Sequence, residues 1–349
     1  QNTKSGPIPI YNFTRPFHWG DKSRFLKVIN GVYCYHHRHS PIQELLEKFI
    51  TLFVNMGRIR KIINQHQIDV VYFMDNFGFG MKYTKRRLSK KTMFAAANYD
   101  PRGLFYDQLQ VKFISGLDKI ITYSCAYKSI LSNLGIQDDH ISVIHWGVNP
   151  EAFKPLDRIV KEETKSLHGI KKGNTLVLWT GYIQQIQEAD FFRAVSVAKM
   201  IRKYRSDIQF IFCFKPETFI STYKDEEVDG VQVISGALNF HKLLGSADIL
   251  FSPTYKISST VSPPLTWVEA MSMGVPVITT KVKGAEEIIE HMETGFISNN
   301  YDTIADDIMR IIDAGIDDEM KTKARNKIIN DYNIQRIAAS FSSEFESMV

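Results

Sequence analysis

The stretch Ser262-Pro-Pro-Leu-Thr-Trp-Val-Glu-Ala-Met-Ser-Met-Gly-Val-Pro-Val-Ile-Thr-Thr280 holds the residues best placed to do chemistry. Pro263-Pro264 opens a helix, Gly274 closes it, and Pro276 leads a buried strand. A helix that begins this way offers free backbone N–H groups and a positive dipole end to an anion, and phosphate is the natural guest. The groups in question are those beside Pro264, Leu265 and Thr266. Glu269, about one turn further in, either points into a cleft and accepts hydrogen bonds from paired hydroxyls such as those of a ribose, or is a solvent-facing helix residue. Lys256, six residues before Ser262, is either a cation for the same anion or a solvated loop lysine.

Such a site needs a scaffold, and the rest of the chain supplies the pattern of one. Short β-rich runs alternate with longer amphipathic ones from Ile68 onward, as in parallel strands joined by helical crossovers. Expected strands are Val28–Tyr35, Val70–Met74, Met93–Ala97, Lys119–Tyr123 and Ile141–Ile144, then Thr175–Trp179, Ile208–Phe212, Val231–Ile234, Ile249–Phe251, Val277–Thr279 and Gly295–Ile297. The expected helices include Ile42–Gln65, Leu104–Ser115, Ala126–Leu134, Ala189–Tyr204, Leu265–Met273 and Tyr301–Ala314. A polar stretch from His145 to Asn174 reads as the linker between two α/β units. In the last helix, Ile334–Glu346, Ile337, Phe341 and Phe345 recur at spacing four, a stripe that must pack on something and is expected to return to the first unit. The fold class is therefore α/β with two facing Rossmann-like, doubly wound parallel sheets and a cleft between them, where strand carboxyl ends bind ligands.

Composition narrows the function further. Over 349 residues, 43 Lys+Arg against 38 Asp+Glu leave a net charge of +5, too mild for a chain built to coat nucleic acid. Cys34, Cys125 and Cys213 are too far apart for a metal or disulfide framework and are expected to be buried and inert, which fits a reducing cytosol. No stretch is long and apolar enough to span a membrane. Adjacent residues on a strand or turn point in different directions, so His36-His37-Arg38-His39 is not read as a metal site. Lys85-Arg86-Arg87-Leu88-Ser89-Lys90-Lys91 concentrates positive charge, and is either a solvated segment or a contact to an anionic membrane surface.

The Pro263–Thr280 segment resembles the signature of retaining GT-B glycosyltransferases of family 4, in which a glutamate-bearing helix is followed by Ala-Met-x-x-Gly-x-Pro-Val-Ile. Companion segments follow in the family's order: Ile120–Ser124, Leu134-Gly135-Ile136, Ile141–Pro155, Leu178-Trp-Thr-Gly181, Ala247-Asp248-Ile249-Leu250, Gly284–Ile289 and Glu293–Ile297. The resemblance runs from about Ile68 to the end. It implies the GT-B fold, with an acceptor-side domain over 1–155, completed by 333–349, and a nucleotide-sugar-binding domain over 156–332. It also implies a nucleoside-diphosphate sugar as donor, a glycan or lipid-linked acceptor, transfer with retention, no metal and no cofactor, in the cytoplasm or at the inner face of the membrane. Glu269 would take the ribose hydroxyls, and the N–H groups near Leu265 and Thr266 would face the diphosphate.

The chain departs from the family pattern at several places. Val261 stands where the family carries a second glutamate, eight positions before Glu269. Counting from Gly181, Tyr182 and Gln187 occupy the positions of an Arg and a Lys that clamp the diphosphate; with Gln184 they offer only neutral hydrogen bonds. Asn98 and Asp100 fall where a first-domain histidine is expected and are carried as catalytic candidates. Asp75 and Asn76, after the strand at Val70–Met74, are read as acceptor-side contacts or as a turn. Nothing before Gly31 matches the family's opening strand and glycine-rich loop, so either the opening βα unit is missing from this chain or the enzyme is an unusual member.

Overall fold

The computed structural model describes residues 28–29, 32–33, 61, 63–74, 91–96, 111–112, 114–181, 185–214, 221–224, 226–236, 239–254, 263–301 and 303–349. Strands β1 (Val28–Ile29) and β2 (Val32–Tyr33) pair antiparallel, so the single strand expected over Val28–Tyr35 turns back on itself. A first sheet follows, made of β3 (Val70–Met74), β4 (Lys91–Ala96), β5 (Lys119–Thr122) and β6 (Ile141–Val143), all parallel and in chain order. Parallel neighbours need a crossover, and helix α1 (Cys125–Asn133) supplies the one between β5 and β6.

The chain then crosses to a second sheet through helix α2 (Arg158–Leu167), inside the stretch read as polar linker. Of α2's residues only Thr164 is buried, while its large apolar residues Ile159 and Leu167 are exposed, so little of the helix is covered by core. It is tied down by the Lys165–Asp248 ion pair at 2.6 Å. Asp248 also accepts the Leu176 N–H at 2.7 Å, which gives this part of the Ala247–Leu250 segment a structural role at the start of the next strand.

The second sheet contains β7 (Thr175–Gly181), β8 (Ile208–Phe214), β9 (Val231–Ser235), β10 (Ile249–Phe251), β11 (Val277–Thr280) and β12 (Phe296–Ser298). Its spatial order, β12-β11-β10-β7-β8-β9, is wholly parallel among the pairs that carry it. Numbered within the sheet this is 3-2-1-4-5-6 read from the other side, the doubly wound order whose direction reverses between the first and fourth strands. Helices α3 (Gln185–Arg202), α4 (Ser221–Lys224), α5 (Phe240–Ser246), α6 (Leu265–Ser272), α7 (Ile304–Ala314) and α8 (Asp318–Asp331) join and cover the strands.

Strand alternation divides the core of this lobe in two. Val177, Trp179, Phe210, Phe212, Phe214 and Phe251 face α3 and α7, whereas Leu176, Leu178, Ile211, Cys213 and Leu250 face α5, α6 and α8. Both faces are apolar because both are covered by helices. The last helix, α9 (Ile334–Ser347), returns to the first sheet. Its Ile337, Phe341 and Phe345 pack with Ile121, Val70 and Tyr72, and the Tyr72 ring meets Phe341 and Phe345 edge-on at 5.9 and 5.7 Å.

Candidate functional site

Helix α6 starts just beyond the carboxyl end of β10, beside the reversal of strand order where a doubly wound sheet opens a crevice. Two contacts seat it. Trp267 is 1 % exposed and its indole N–H donates to Ser252 Oγ at 2.8 Å, while Ser252 N–H donates to Ile278 O at 2.8 Å. The loop after β10 is fastened to β11 by Thr254 N–H donating to Thr280 Oγ1 at 2.9 Å and by the Thr280 hydroxyl donating to Thr254 O.

The other end of α6 is closed by Gly274, whose φ of +71° is a left-handed conformation that only glycine adopts without strain. Val275 N–H bonds to Ala270 O and Gly274 N–H to Met271 O, the paired bonds of a Schellman stop. Ser272 Oγ donates to Phe153 O at 2.7 Å, and Arg325 donates to Ser272 O. The helix is thus held rigidly at both ends.

Within α6, Trp267, Val268, Ala270, Met271 and Ser272 are buried, which leaves Leu265, Thr266 and Glu269 as its accessible residues. Those three are spaced three and four apart and share one face, which is also the face that starts at the helix N-terminus. Pro264, the N-cap residue, has an extended backbone and makes no side-chain cap bond. Trp267 N–H turns back to the cap carbonyl, Pro264 O, at 2.9 Å, whereas the N–H groups of Leu265 and Thr266 have no acceptor within the helix or its cap and lie at the positive end of the dipole. Glu269 is half-buried one turn further in, rather than extended into solvent.

Gly181 ends β7 on the opposite flank of the reversal. A Cβ there would lie 2.5 Å from the Trp179 ring, itself wedged among Phe191, Phe212 and Phe214, so the missing side chain has a packing reason as well as a place at the crevice. Gln187 falls in α3, but its side chain lies outside the described residues, as do Tyr182, Lys256, Val261, Asp75, Asn76, Asn98 and Asp100. His36–His39 and Lys85–Lys90 lie outside them too. Of the candidate residues, the structure brings together Pro264, Leu265, Thr266 and Glu269 on one element and Gly181 at the neighbouring strand end. Among the described residues no three His, Cys, Asp or Glu side chains gather as a metal site, and no helix is long and apolar enough to cross a membrane.

Sequence reasoning missed a second feature of the same edge. Ser124 caps α1 by accepting the Tyr127 N–H at 3.2 Å. The other two N–H groups of that first turn, at Cys125 and Ala126, donate to Glu287 Oε2 and Oε1, both at 2.8 Å. Glu287 lies in the 3-10 turn Ala285–Glu287 that follows β11 in the second lobe. A serine before a helix is a readable cap signal, but its carboxylate partner 162 positions away is not. Cys125 is exposed, against the expectation for all three cysteines; Cys213 is buried as expected, and Cys34 lies outside the described residues. Burial, and then the Glu287 carboxylate, push the Cys125 thiol upward.

With this geometry in view, likeness to known proteins can be placed. Residues 17–152 match the family model described as Glycosyltransferase Family 4, and residues 174–314 match that described as Glycosyl transferases group 1. The match thus begins well before Ile68. A D-inositol 3-phosphate glycosyltransferase of an Arthrobacter species is 23% identical over 288 residues, 76% of this chain and 66% of that protein. The UDP-Gal:alpha-D-GlcNAc-diphosphoundecaprenol alpha-1,3-galactosyltransferase of Escherichia coli is 22% identical over 281 residues, 78% of this chain and 68% of that protein. The chain spans only 56% and 54% of two further D-inositol 3-phosphate glycosyltransferases. Among solved structures, HepE of Anabaena in complex with UDP-glucose superimposes with a TM-score of 0.69 at 14% identity, covering 82% of each chain. A glycosyltransferase from Rickettsia africae gives 0.68 at 18% identity, covering 91% of this chain and 84% of that one. The two family models fall one on each lobe, either side of the crossing that carries α2, and both lobes superimpose with proteins of that architecture; the chain belongs to the GT-B glycosyltransferases of family 4.

Proposed function

We propose that the chain is a retaining glycosyltransferase that moves a sugar from a nucleoside-diphosphate sugar to a glycan or lipid-linked acceptor in polysaccharide or glycoconjugate assembly, without metal or cofactor. The observation that carries the reading is the accessible face of α6, where an N-terminus without a side-chain cap and Glu269 stand one turn apart at the sheet's crevice. A departing nucleoside diphosphate gains negative charge as the glycosidic bond breaks, so fixed N–H donors at Leu265 and Thr266 stabilise the transition state more than the ground state. Glu269 holds the ribose hydroxyls and fixes the register of the diphosphate on the helix. Likeness to a UDP-glucose complex and to a galactosyltransferase named for a diphosphoundecaprenol acceptor supports the donor and acceptor classes. Asn98 and Asp100 are proposed for the reacting centre, Asp75 and Asn76 for the acceptor, and Gly181, Tyr182, Gln187 and Lys256 for the donor. The positive run Lys85–Lys91 fits an enzyme working at the cytoplasmic face of a membrane.

The test is a thermal-shift screen of UDP, GDP, ADP and their sugar conjugates, because a ligand at a hundred times its dissociation constant stabilises by about 2.7 kcal/mol. One nucleotide is expected to shift the midpoint, and Glu269→Ala to abolish most of that shift, since each bond to a carboxylate is worth about 1.5–3 kcal/mol. An unchanged shift in the variant sinks the ribose assignment. A second reading, a catalytically silent GT-B subunit or binding module, is favoured by the joint loss of charge at Val261, Tyr182 and Gln187. Donor hydrolysis or transfer by the purified chain refutes it.

A further inference from the structure

The candidate donor site belongs to one lobe, yet transfer needs the other lobe at a fixed distance. The two lobes are joined by a pair of crossing segments lying side by side. Val148 N–H donates to Tyr332 O and Ile334 N–H to Val148 O, both at 2.9 Å, with Val148 and Asn333 forming a parallel bridge. A Cβ on Gly147 would sit 3.0 Å from the Ile334 backbone, so the strands of this double crossing are in close contact. Two adjacent crossings restrict separation of the lobes but leave rotation about their common line open. A further contact between the lobes has to set the angle.

Glu287 makes that contact. It lies on the loop that follows β11, the strand next to the one that leads to α6. The helix start that it meets, Cys125–Ala126, follows β5 of the first sheet. Both loops leave the carboxyl ends of their strands, the edges at which parallel sheets bind ligands, so the contact joins the ligand-binding edges of the two lobes beside their crossing. Each carboxylate oxygen takes one backbone N–H, and the negative charge faces the positive end of the α1 dipole. The loop itself is held from behind by the Tyr332 hydroxyl, which donates to Glu287 O at 3.0 Å from the second crossing segment.

We propose that Glu287 is a positioning residue that locks the two lobes beside their crossing: carried by the donor-side lobe, its carboxylate closes the N-terminus of α1 on the other lobe and so fixes the angle at which acceptor meets donor. The kinetic half of this proposal rests on the transferase reading above; the lock itself does not.

Amide hydrogen exchange of the full chain tests the lock directly. In Glu287→Ala, the amides of Cys125 and Ala126 are expected to exchange about tenfold faster or more, while Tyr127, whose N–H is held by Ser124 within the same lobe, stays slow as an internal control. Glu287→Gln keeps the volume and one carbonyl acceptor, gives an intermediate rate, and serves if the alanine variant folds poorly. Small-angle scattering of the same variants is expected to report a larger radius of gyration. With donor and acceptor supplied, kcat/KM is expected to fall by about thirtyfold, on the scale that misplacing reacting groups costs. UDP affinity is expected to stay within about threefold, as the nucleotide's proposed contacts are on α6, away from the altered residue. Unchanged exchange at residues 125 and 126 overturns the lock. A loss of UDP affinity equal to the loss of transfer overturns the positioning role, because Glu287 would then act on the donor. If the unaltered chain transfers nothing, the transferase reading fails while exchange and scattering still decide the lock.

Discussion

Two helices begin at the ligand-facing edges of the two lobes, and they treat the same physical problem in opposite ways. Both α1 and α6 carry a fully buried aromatic at their third position, Tyr127 and Trp267, each 1 % exposed. Both present a first turn whose N–H groups have no partner inside the helix. At α1 all three of those groups are satisfied by protein: Ser124 takes one and Glu287 takes two. At α6 the cap is Pro264, which contributes no side-chain bond; its carbonyl takes the Trp267 N–H at 2.9 Å, and the N–H groups of Leu265 and Thr266 have no acceptor in the helix or its cap. The buried aromatic thus fixes where each helix starts, and the side chains that reach its first turn, the cap residue and a carboxylate from the other lobe, decide whether the positive end is spent on structure or kept for an anion.

The largest effects come from removing what the two helices share. Tyr127→Ala and Trp267→Ala are each expected to cost about 3–5 kcal/mol, the range for deleting a buried aromatic. Chemical denaturation measures both. The two variants part in function, because Trp267→Ala also releases α6 from Ser252. Below its transition the Trp267 variant is expected to lose its response to a nucleoside diphosphate, whereas the Tyr127 variant keeps it. Equal responses would mean that the α6 terminus does not hold the ligand.

A smaller and sharper perturbation converts one helix start into the other. Pro264→Asp places an acceptor at an N-cap whose extended backbone already suits one. The gain at the cap and the lost restriction of proline offset each other, so stability of the free protein should move by less than about 1 kcal/mol. Affinity for a nucleoside diphosphate should fall by about tenfold or more, because a carboxylate now competes for the same N–H groups and dipole. Calorimetric titration with UDP, GDP and ADP reads this directly. An unaltered dissociation constant would remove the helix from the diphosphate site.

How much of this was legible in the sequence follows the same division. The interior strands of the second sheet, such as Ile249–Phe251, are continuous apolar runs bounded by turns and could be read nearly residue by residue. The start of α6 was legible because Pro-Pro and Gly274 act locally, through φ alone. Helix α2 was not, since it lies in a run dominated by charged and polar residues, its Ile159 and Leu167 are exposed, and the ion pair that holds it reaches across the chain to Asp248. Glu287 was not for the same reason: its segment could be matched to a family pattern, but its role depends on a helix start brought near only by the double crossing of Val148 and Asn333. The open site is a local property and the closed one a tertiary property, so only the first shows in a one-dimensional pattern.

The smallest expected effect uses Cys125 as a reporter of which kind of helix start α1 is. A cysteine in the first turn of a helix normally has its thiol made more acidic by the dipole and becomes reactive. Here burial comes first and the Glu287 carboxylate second, and both push the thiol the other way, with Lys128 opposing them. Although Cys125 is exposed, its thiolate should therefore form at higher pH than that of an ordinary accessible cysteine. Alkylation by iodoacetamide, followed at this residue by mass spectrometry, should be slow at neutral pH, and its pH profile should be displaced to the alkaline side. Glu287→Gln removes the charge and frees part of the dipole, so the profile should move back toward neutral pH and the rate at fixed pH should rise. A profile that does not respond to Glu287→Gln would mean that the carboxylate does not occupy the helix end in solution, and the contrast between a spent and an open terminus would then lose its closed member.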